Sequence, residues 1–148
     1  MVEIHSDDSL CALLVGSFEQ DRLLVRETFR RSGWRLLEAA DRRRSMQLLE
    51  QINVQVVIAE SDLPHWNWKQ VLRDLRKMDQ PPALVVTSRT ADDSLWAEVL
   101  NIGGYDVLAQ PLASNELERV VASAGRNFWR RPVQSAAGNV APLYRTAR

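Results

Sequence analysis

The chain has 148 residues, of which 45% are hydrophobic and 26% are charged, a composition typical of one soluble globular domain that is long enough to bury a sizeable core. The 19 basic and 19 acidic residues give a formal net charge of zero, which argues against a protein that coats nucleic acid or an anionic membrane through bulk charge. The single cysteine, Cys11, excludes an internal disulfide and, with only two histidines, a cysteine-based zinc site.

The two ends of the sequence differ from its centre. The first residues, MVEIHSDDS, lack the basic stretch and apolar run of a secretory signal, and no segment approaches the roughly 20 apolar residues that span a bilayer. We therefore expect a cytoplasmic protein without a membrane segment. Residues 1–9 are interpreted as an N-terminal extension, 10–131 as the folded domain, and 132–148 as a flexible tail without apolar periodicity.

Between these ends, short apolar runs alternate with amphipathic segments of helical length. The predicted strands are 10–15, 34–39, 54–59, 83–87 and 106–109. The predicted helices are 21–31, 42–51, 66–78, 92–102 and a last helix capped by Ser114. Strands that alternate with helices predict a parallel sheet with helices on both faces, and short connections favour the doubly wound α/β arrangement.

In a doubly wound sheet, ligands bind beyond the carboxyl ends of the strands. The residues expected at those ends are polar or small: Gly16-Ser17 after strand 1, Glu60-Ser61-Asp62 after strand 3, Thr87-Ser88-Arg89 after strand 4, and Gln110-Pro111 after strand 5. These residues are the candidate functional site.

The same segments resemble the receiver domain of two-component response regulators, the CheY-like family. The resemblance covers about residues 11–131 and rests on four segments in the right order, EAADRRRSMQLLE, VVIAESDLP, VVTSRT and GGYDVLAQP. It implies a flavodoxin-like (βα)5 fold with a five-stranded parallel sheet in the order 2-1-3-4-5. It also implies a signalling module that is not an enzyme.

The chain departs from this family where phosphorylation takes place. Family members carry two Mg²⁺-binding acids after strand 1, a phosphoacceptor Asp at the end of strand 3 and a Lys at the end of strand 5. The corresponding residues here are Gly16 and Ser17, Glu60, and Gln110. Glycine has no ligating side chain and serine only a neutral hydroxyl, whereas Mg²⁺ prefers carboxylates and other hard oxygens. Phosphoryl transfer depends on positioning and on neutralisation of charge, and this chain lacks both the metal-binding acids and the lysine. We therefore expect no phosphorylation at position 60 and no bound Mg²⁺, other metal or cofactor.

Two further positions of the family pattern are retained in this chain, and one is changed. Thr87 stands at the Thr or Ser position after strand 4, and Pro111 follows Gln110 as the resemblance implies. In the family, phosphorylation draws the Thr or Ser toward the phosphoryl group and an aromatic side chain in strand 5 turns inward. That aromatic position is Val107 here, and valine is short and stiff about χ1.

Glu60 has two interpretations that the sequence leaves open. It is either a permanent mimic of the phosphorylated Asp or an inert polar residue at a strand end. As the one carboxylate among Ser17, Thr87 and Gln110, it is expected to accept hydrogen bonds from their hydroxyl and amide groups. Arg89 is either its ion-pair partner or, as we favour, a solvated loop residue.

Three further groups of residues have a solvated or packing interpretation beside a functional one. Glu19 and Asp62 are expected to be solvated loop acids rather than a cation site, and the run Arg42-Arg43-Arg44 a solvated helix face rather than a nucleic-acid site. Trp66 is expected to pack locally. The candidate partner contacts are Trp68 and Trp96.

The sequence therefore supports the hypothesis of a stand-alone, atypical pseudo-receiver that signals through protein contacts. Its expected partner is a histidine kinase, an output protein or a second copy of the chain, bound through the face formed by helix 4, strand 5 and helix 5; nucleic acid and membrane are not expected. The alternative is a receiver-fold module that binds a small anion or nucleotide at the strand ends. A third hypothesis is the N-terminal part of a protein whose output domain lies elsewhere.

Overall fold

Five parallel strands alternate with five helices along residues 10–130, the part of the chain described by this computed structural model. The strands are β1 Cys11–Val15, β2 Arg35–Ala39, β3 Val56–Glu60, β4 Ala83–Ser88 and β5 Asp106–Ala109. The helices are α1 Arg22–Ser32, α2 Arg42–Gln51, α3 Trp68–Leu75, α4 Asp93–Asn101 and α5 Ser114–Arg130. The strand order β2-β1-β3-β4-β5 confirms the predicted doubly wound (βα)5 fold.

The sheet separates two hydrophobic cores because successive strand residues point to opposite faces. One core joins Leu13, Val57 and Val86 to the apolar sides of α2, α3 and α4. The other joins alternate strand residues to α1 and α5, and its strand members include Leu14, Ile58, Val85 and Leu108. We call these the α2–α4 core and the α1–α5 core. The same alternation decides on which face of the sheet each polar residue at a strand end lies.

Two helices begin differently from the prediction. α3 begins at Trp68, two residues later than predicted, because Asn67 and Gln70 form a reciprocal capping box. Ser114 is the first residue of α5 rather than its cap, so that prediction is wrong. Its hydroxyl instead contacts Thr28 Oγ1 at 2.9 Å and accepts a hydrogen bond from Arg31 at 2.8 Å, so that it ties α5 to α1.

Two predicted segments, the extension 1–9 and the tail 132–148, lie outside the described residues. Within residues 10–130, no helix combines the length and the apolarity that a membrane span requires.

Candidate functional site

Four of the predicted site positions lie on one face of the sheet, at its carboxyl edge. These positions are Gly16, Glu60, Thr87 and Gln110. Each comes two residues after a strand residue of the α1–α5 core, namely Leu14, Ile58, Val85 and Leu108. The parallel register places Glu60 beside Thr87, and pairing of Val15 with Ala59 brings Gly16 level with Glu60. These four positions therefore share the carboxyl edge of the sheet, and we refer to them together as the pocket.

The Glu60 side chain turns toward the loop between β1 and α1. Its Oε1 accepts a hydrogen bond from the backbone N–H of Ser17 at 3.1 Å. A Cβ atom at Gly16 would lie 2.3 Å from Oε1 and 2.9 Å from the carboxyl carbon of Glu60. Gly16 also has φ +130°, a backbone conformation that L side chains rarely adopt. The end of the Glu60 side chain therefore fills the volume that a side chain at position 16 would need.

The residues at this pocket do not fit a Mg²⁺ site of the kind that the family resemblance implies. Gly16 contributes no ligand, and Ser17 presents its backbone N–H to Glu60. Within residues 10–130, no group of three or more His, Cys, Asp or Glu side chains could hold a metal ion. Mg²⁺ needs several hard oxygen ligands, and Glu60 supplies one carboxylate that already accepts a backbone hydrogen bond.

Thr87 is fully buried beside Glu60, and its hydroxyl is not used as we expected. Oγ1 of Thr87 has no hydrogen-bond partner among the described residues. Its backbone carbonyl accepts from the Ser61 N–H at 2.8 Å, which fixes the end of β3 against β4. The expectation that hydroxyl and side-chain amide groups satisfy Glu60 is therefore wrong, because its donor is a backbone N–H.

Gln110 contacts a different carboxylate, that of Asp21. The Gln110 Nε2 donates to Asp21 Oδ2 at 3.3 Å, and the Leu112 N–H donates to Asp21 Oδ1 at 3.2 Å. Asp21 is only 4% exposed. This Asp21–Gln110 link joins the loop before α1 to the loop after β5. Pro111 follows Gln110 through a cis peptide bond.

Asp21 is the site residue that sequence reasoning missed. An Asp immediately before a helix is typical of an N-cap, and Asp21 does occupy the N-cap position of α1. Its side chain forms no capping hydrogen bond there. The local pattern alone contains no signal for its burial against a loop about ninety residues away in sequence.

The charged residues at the rim of the pocket are mostly solvated. Arg89 is exposed and forms no ion pair with Glu60, both residues lying in the described part of the chain, so the solvated interpretation is confirmed. Glu19 and Asp62 are exposed as well. Arg22 donates to the carbonyl oxygen of Ser17, so that the side chains of Arg22 and Glu60 bind the backbone C=O and N–H of this loop residue.

Trp66 in the turn before α3 and Trp68 at the start of α3 both pack inside the protein. Trp66 is 3% exposed and donates its indole N–H to Asp74 Oδ2 at 2.8 Å, which confirms its packing role. Trp68 is 6% exposed and belongs to the α2–α4 core. The prediction that Trp68 is a partner contact is wrong, since it is the first of the α3 residues that face the sheet, followed by Val71, Leu72 and Leu75.

Trp96 is the predicted contact residue that lies at the surface. It is 43% exposed on α4, and its indole N–H donates to Asp106 Oδ1 on β5 at 3.2 Å. The neighbouring Val107 is half-buried and packs against the α2–α4 core. We call this surface the α4–β5–α5 face; it includes Trp96, Asp106 and the exposed side of α5.

Comparison with known proteins identifies the family. The model of the response regulator receiver domain matches residues 13–122. The chain is 31% identical over 106 residues to the uncharacterized transcriptional regulatory protein YrkP of Bacillus subtilis, a match that covers 70% of this chain and 44% of that protein. The chain spans about half the length of the curated relatives it matches.

Solved structures share the fold. The signal receiver domain of an HD domain-containing protein from Pseudomonas fluorescens Pf-5 has a TM-score of 0.70 at 24% identity, covering 83% of this chain and 99% of that chain. The receiver domain of Saccharomyces cerevisiae Ssk1, solved in complex with the histidine phosphotransfer protein Ypd1, has a TM-score of 0.70 at 12% identity, covering 82% and 92% of the two chains. Since the family model spans all five strands except the first two residues of β1, the chain belongs to the response regulator receiver domain family.

Proposed function

We propose that this receiver domain signals through protein contacts from a single resting conformation, without phosphorylation at position 60 and without Mg²⁺. Membership of the receiver family supports a role in two-component signal transduction rather than catalysis. The proposed absence of phosphorylation and of Mg²⁺ rests on the chemistry of the pocket. This pocket differs from that of a phosphorylated receiver at four positions: Gly16, Ser17, Glu60 and Gln110.

The observation that carries the proposal is the position of the Glu60 carboxylate. It accepts the Ser17 N–H and fills the space above Gly16, where the family pattern has a metal-binding acid. Phosphoryl transfer needs a positioned nucleophile and cations that neutralise the developing charge. Here the carboxylate is turned toward a loop N–H, and the residue at the lysine position donates to Asp21 instead.

The same geometry favours an inert Glu60 over a mimic of phosphorylation. A mimic would engage the Thr87 hydroxyl, the group that moves toward a phosphoryl group in the family. The Thr87 hydroxyl has no partner among the described residues, and the Glu60 carboxylate bonds to the opposite side of the pocket, at Ser17. We therefore assign this arrangement to a resting pocket.

The proposed partner is a protein that binds the α4–β5–α5 face. Trp96 is 43% exposed there, and tryptophan is enriched among the residues that dominate binding energy. The Ssk1 receiver, which shares this fold, is solved with a histidine phosphotransfer protein. A histidine kinase or phosphotransfer protein, an output protein and a second copy of this chain are the candidate partners.

The pocket argues against the alternative of anion or nucleotide binding at the strand ends. A carboxylate repels phosphate, and Glu60 is the charged group nearest to Gly16. The cation that follows β4, Arg89, is exposed and does not pair with Glu60. Thermal shift with nucleotides tests this directly: binding of a nucleotide raises Tm, whereas we expect no change.

Intact-mass spectrometry after incubation with acetyl phosphate and Mg²⁺ tests the main proposal. We expect the wild-type mass to stay unchanged, because neither the metal site nor the lysine is present. A receiver with the complete acid set serves as the reagent control. The stable addition of one phosphoryl group at Glu60 would contradict the proposal.

A further inference from the structure

We propose that Gly16 and Glu60 form one steric pair, in which the missing side chain at position 16 positions the Glu60 carboxylate and closes the pocket to a divalent cation. Gly16 is thus a positioning residue for Glu60. The inference rests on the proposed function of the same site. Its test measures stability and cation binding rather than phosphorylation. Phosphorylation of the wild-type protein would contradict the proposed function, whereas independent effects of Gly16 and Glu60 would contradict this inference.

The distances around Gly16 show that more than one atom of Glu60 is involved. A Cβ at position 16 would approach Oε1 to 2.3 Å, the carboxyl carbon to 2.9 Å and Cγ to 3.1 Å. Rotation of the carboxylate alone does not relieve contacts with the carboxyl carbon and Cγ. Any side chain at position 16 therefore requires the flexible end of Glu60 to move from the place where its Oε1 accepts the Ser17 N–H.

The pair also predicts that an acid at position 16 and a glutamate at position 60 exclude each other. A carboxylate at position 16 would require the same volume as the Glu60 carboxylate and would place two like charges in contact. With Glu60 present, the pocket therefore holds one carboxylate at this point. An aspartate at position 60 is one methylene group shorter, which leaves room for a second acid.

Gly33 provides a matched control because it also has a positive φ, +75°, but a Cβ there would meet nothing within 4 Å. The Gly33→Ala substitution introduces backbone strain alone. Alanine at Gly16 meets both backbone strain and Glu60. The part of the loss that depends on Glu60 is isolated by a double-mutant cycle, in which the backbone contribution cancels.

The cycle compares the loss in Tm caused by Gly16→Ala in the full chain with Glu60 present and with Glu60→Ala or Glu60→Asp. We expect the loss to be smaller by about 3 °C or more in both Glu60 variants, while the loss caused by Gly33→Ala is the same in all backgrounds. Folding of Gly16→Ala only in the Glu60 variants supports the proposal equally. Equal losses with and without Glu60, to within about 1 °C, would overturn it.

A second measurement uses Mn²⁺ as the probe and does not depend on alanine at position 16. The double variant Gly16→Asp/Ser17→Asp is compared with the triple variant that also carries Glu60→Asp. We expect Mn²⁺ to bind the triple variant at least about tenfold more tightly, since only there can the acids occupy the pocket together. Equal Mn²⁺ affinity of the two variants would show that Glu60 does not close the site.

Discussion

Trp68 and Trp96 show how the same residue type takes different roles according to its place on a helix. Trp68 begins α3 and is 6% exposed in the α2–α4 core, with the Lys69 Nζ 5.8 Å from its ring centroid. Trp96 lies on α4 and is 43% exposed. Trp68 is therefore part of the packed core, whereas Trp96 lies at the surface, where we propose that a partner binds.

Alanine substitution should separate these two roles. Trp68→Ala should lower the free energy of unfolding by about 3–5 kcal/mol, because it removes a large buried side chain. Trp96→Ala should lower it by less than about 1 kcal/mol and weaken partner binding through the α4–β5–α5 face. Urea unfolding measures the loss of stability in each variant. Similar losses for the two variants would contradict the assignment.

At the scale of whole elements, Asp74 links α2, α3 and the turn that precedes α3. Its Oδ2 accepts from Trp66 Nε1 and from Arg42 Nε, both at 2.8 Å, and Lys77 Nζ lies 3.8 Å from Oδ1. Burial raises the pKa of the Asp74 carboxyl, but the hydrogen bonds from Arg42 and Trp66 and the charges of Arg42 and Lys77 outweigh it, so that the pKa is lowered. The ionised carboxylate therefore stabilises the fold.

This network predicts part of the response to acid. A carboxyl whose pKa is lower in the folded state stabilises the fold above its unfolded pKa, which is about 4, and loses that contribution as the pH falls through the folded value. Asp74→Asn should thus lower stability at pH 7 by about 1–3 kcal/mol and flatten the loss of stability below about pH 4. Asp79→Asn, at an exposed position, is the control. An unchanged acid limb in Asp74→Asn would rule out this role.

The Asp21–Gln110 link makes a similar prediction for the two loops at the carboxyl edge. Asp21→Ala leaves the Leu112 N–H and the Gln110 amide without their acceptor and should cost about 1–3 kcal/mol. Gln110→Ala removes one of the two donors and should cost about 0.5–1.5 kcal/mol. The two losses should not add, which a double-mutant cycle by denaturant unfolding measures, with the exposed Gln20→Ala as control. Additive losses would show that the two side chains act independently.

At the same scale, the sequence predicted the elements better than their contacts. The β-branched run in β3 and the apolar stripes of α1 and α5 specify strand and helix because periodicity is local. The beginning of α3 was set by the Asn67 capping box, which the apolar pattern does not reveal. The burial of Trp68 follows from its spacing, which places it on the same side of α3 as Val71, Leu72 and Leu75.

Across the whole molecule, topology made the pocket predictable and side-chain direction did not. Parallel strands in the order β2-β1-β3-β4-β5 bring Gly16, Glu60, Thr87 and Gln110 to one edge, as expected from the order of the motifs. Glu60 turns toward Ser17 and Gln110 toward Asp21, which depends on packing between residues far apart in sequence. The Glu60 carboxylate lies above Gly16 as a result, which is the basis of the proposal that it closes this pocket.

The proposed lack of phosphorylation also applies to the α4–β5–α5 face, the proposed site of partner binding. A switch requires a ligand with different affinities for two states of the protein. Val107 is half-buried and offers no rotating ring, and the Thr87 hydroxyl is not engaged by Glu60. We therefore predict one conformation of this face, with or without Mg²⁺ and a phosphodonor.

Relaxation-dispersion NMR of the α4 and β5 amides tests this central claim most directly. It is measured on the full chain, on Glu60→Gln, and on the wild-type protein with Mg²⁺ and acetyl phosphate, since microsecond-to-millisecond exchange reports a second populated state. We predict flat dispersion profiles and unchanged amide shifts for α4 and β5 in all three samples. Widespread exchange in the wild-type protein that disappears in Glu60→Gln would show a two-state switch and would contradict the account.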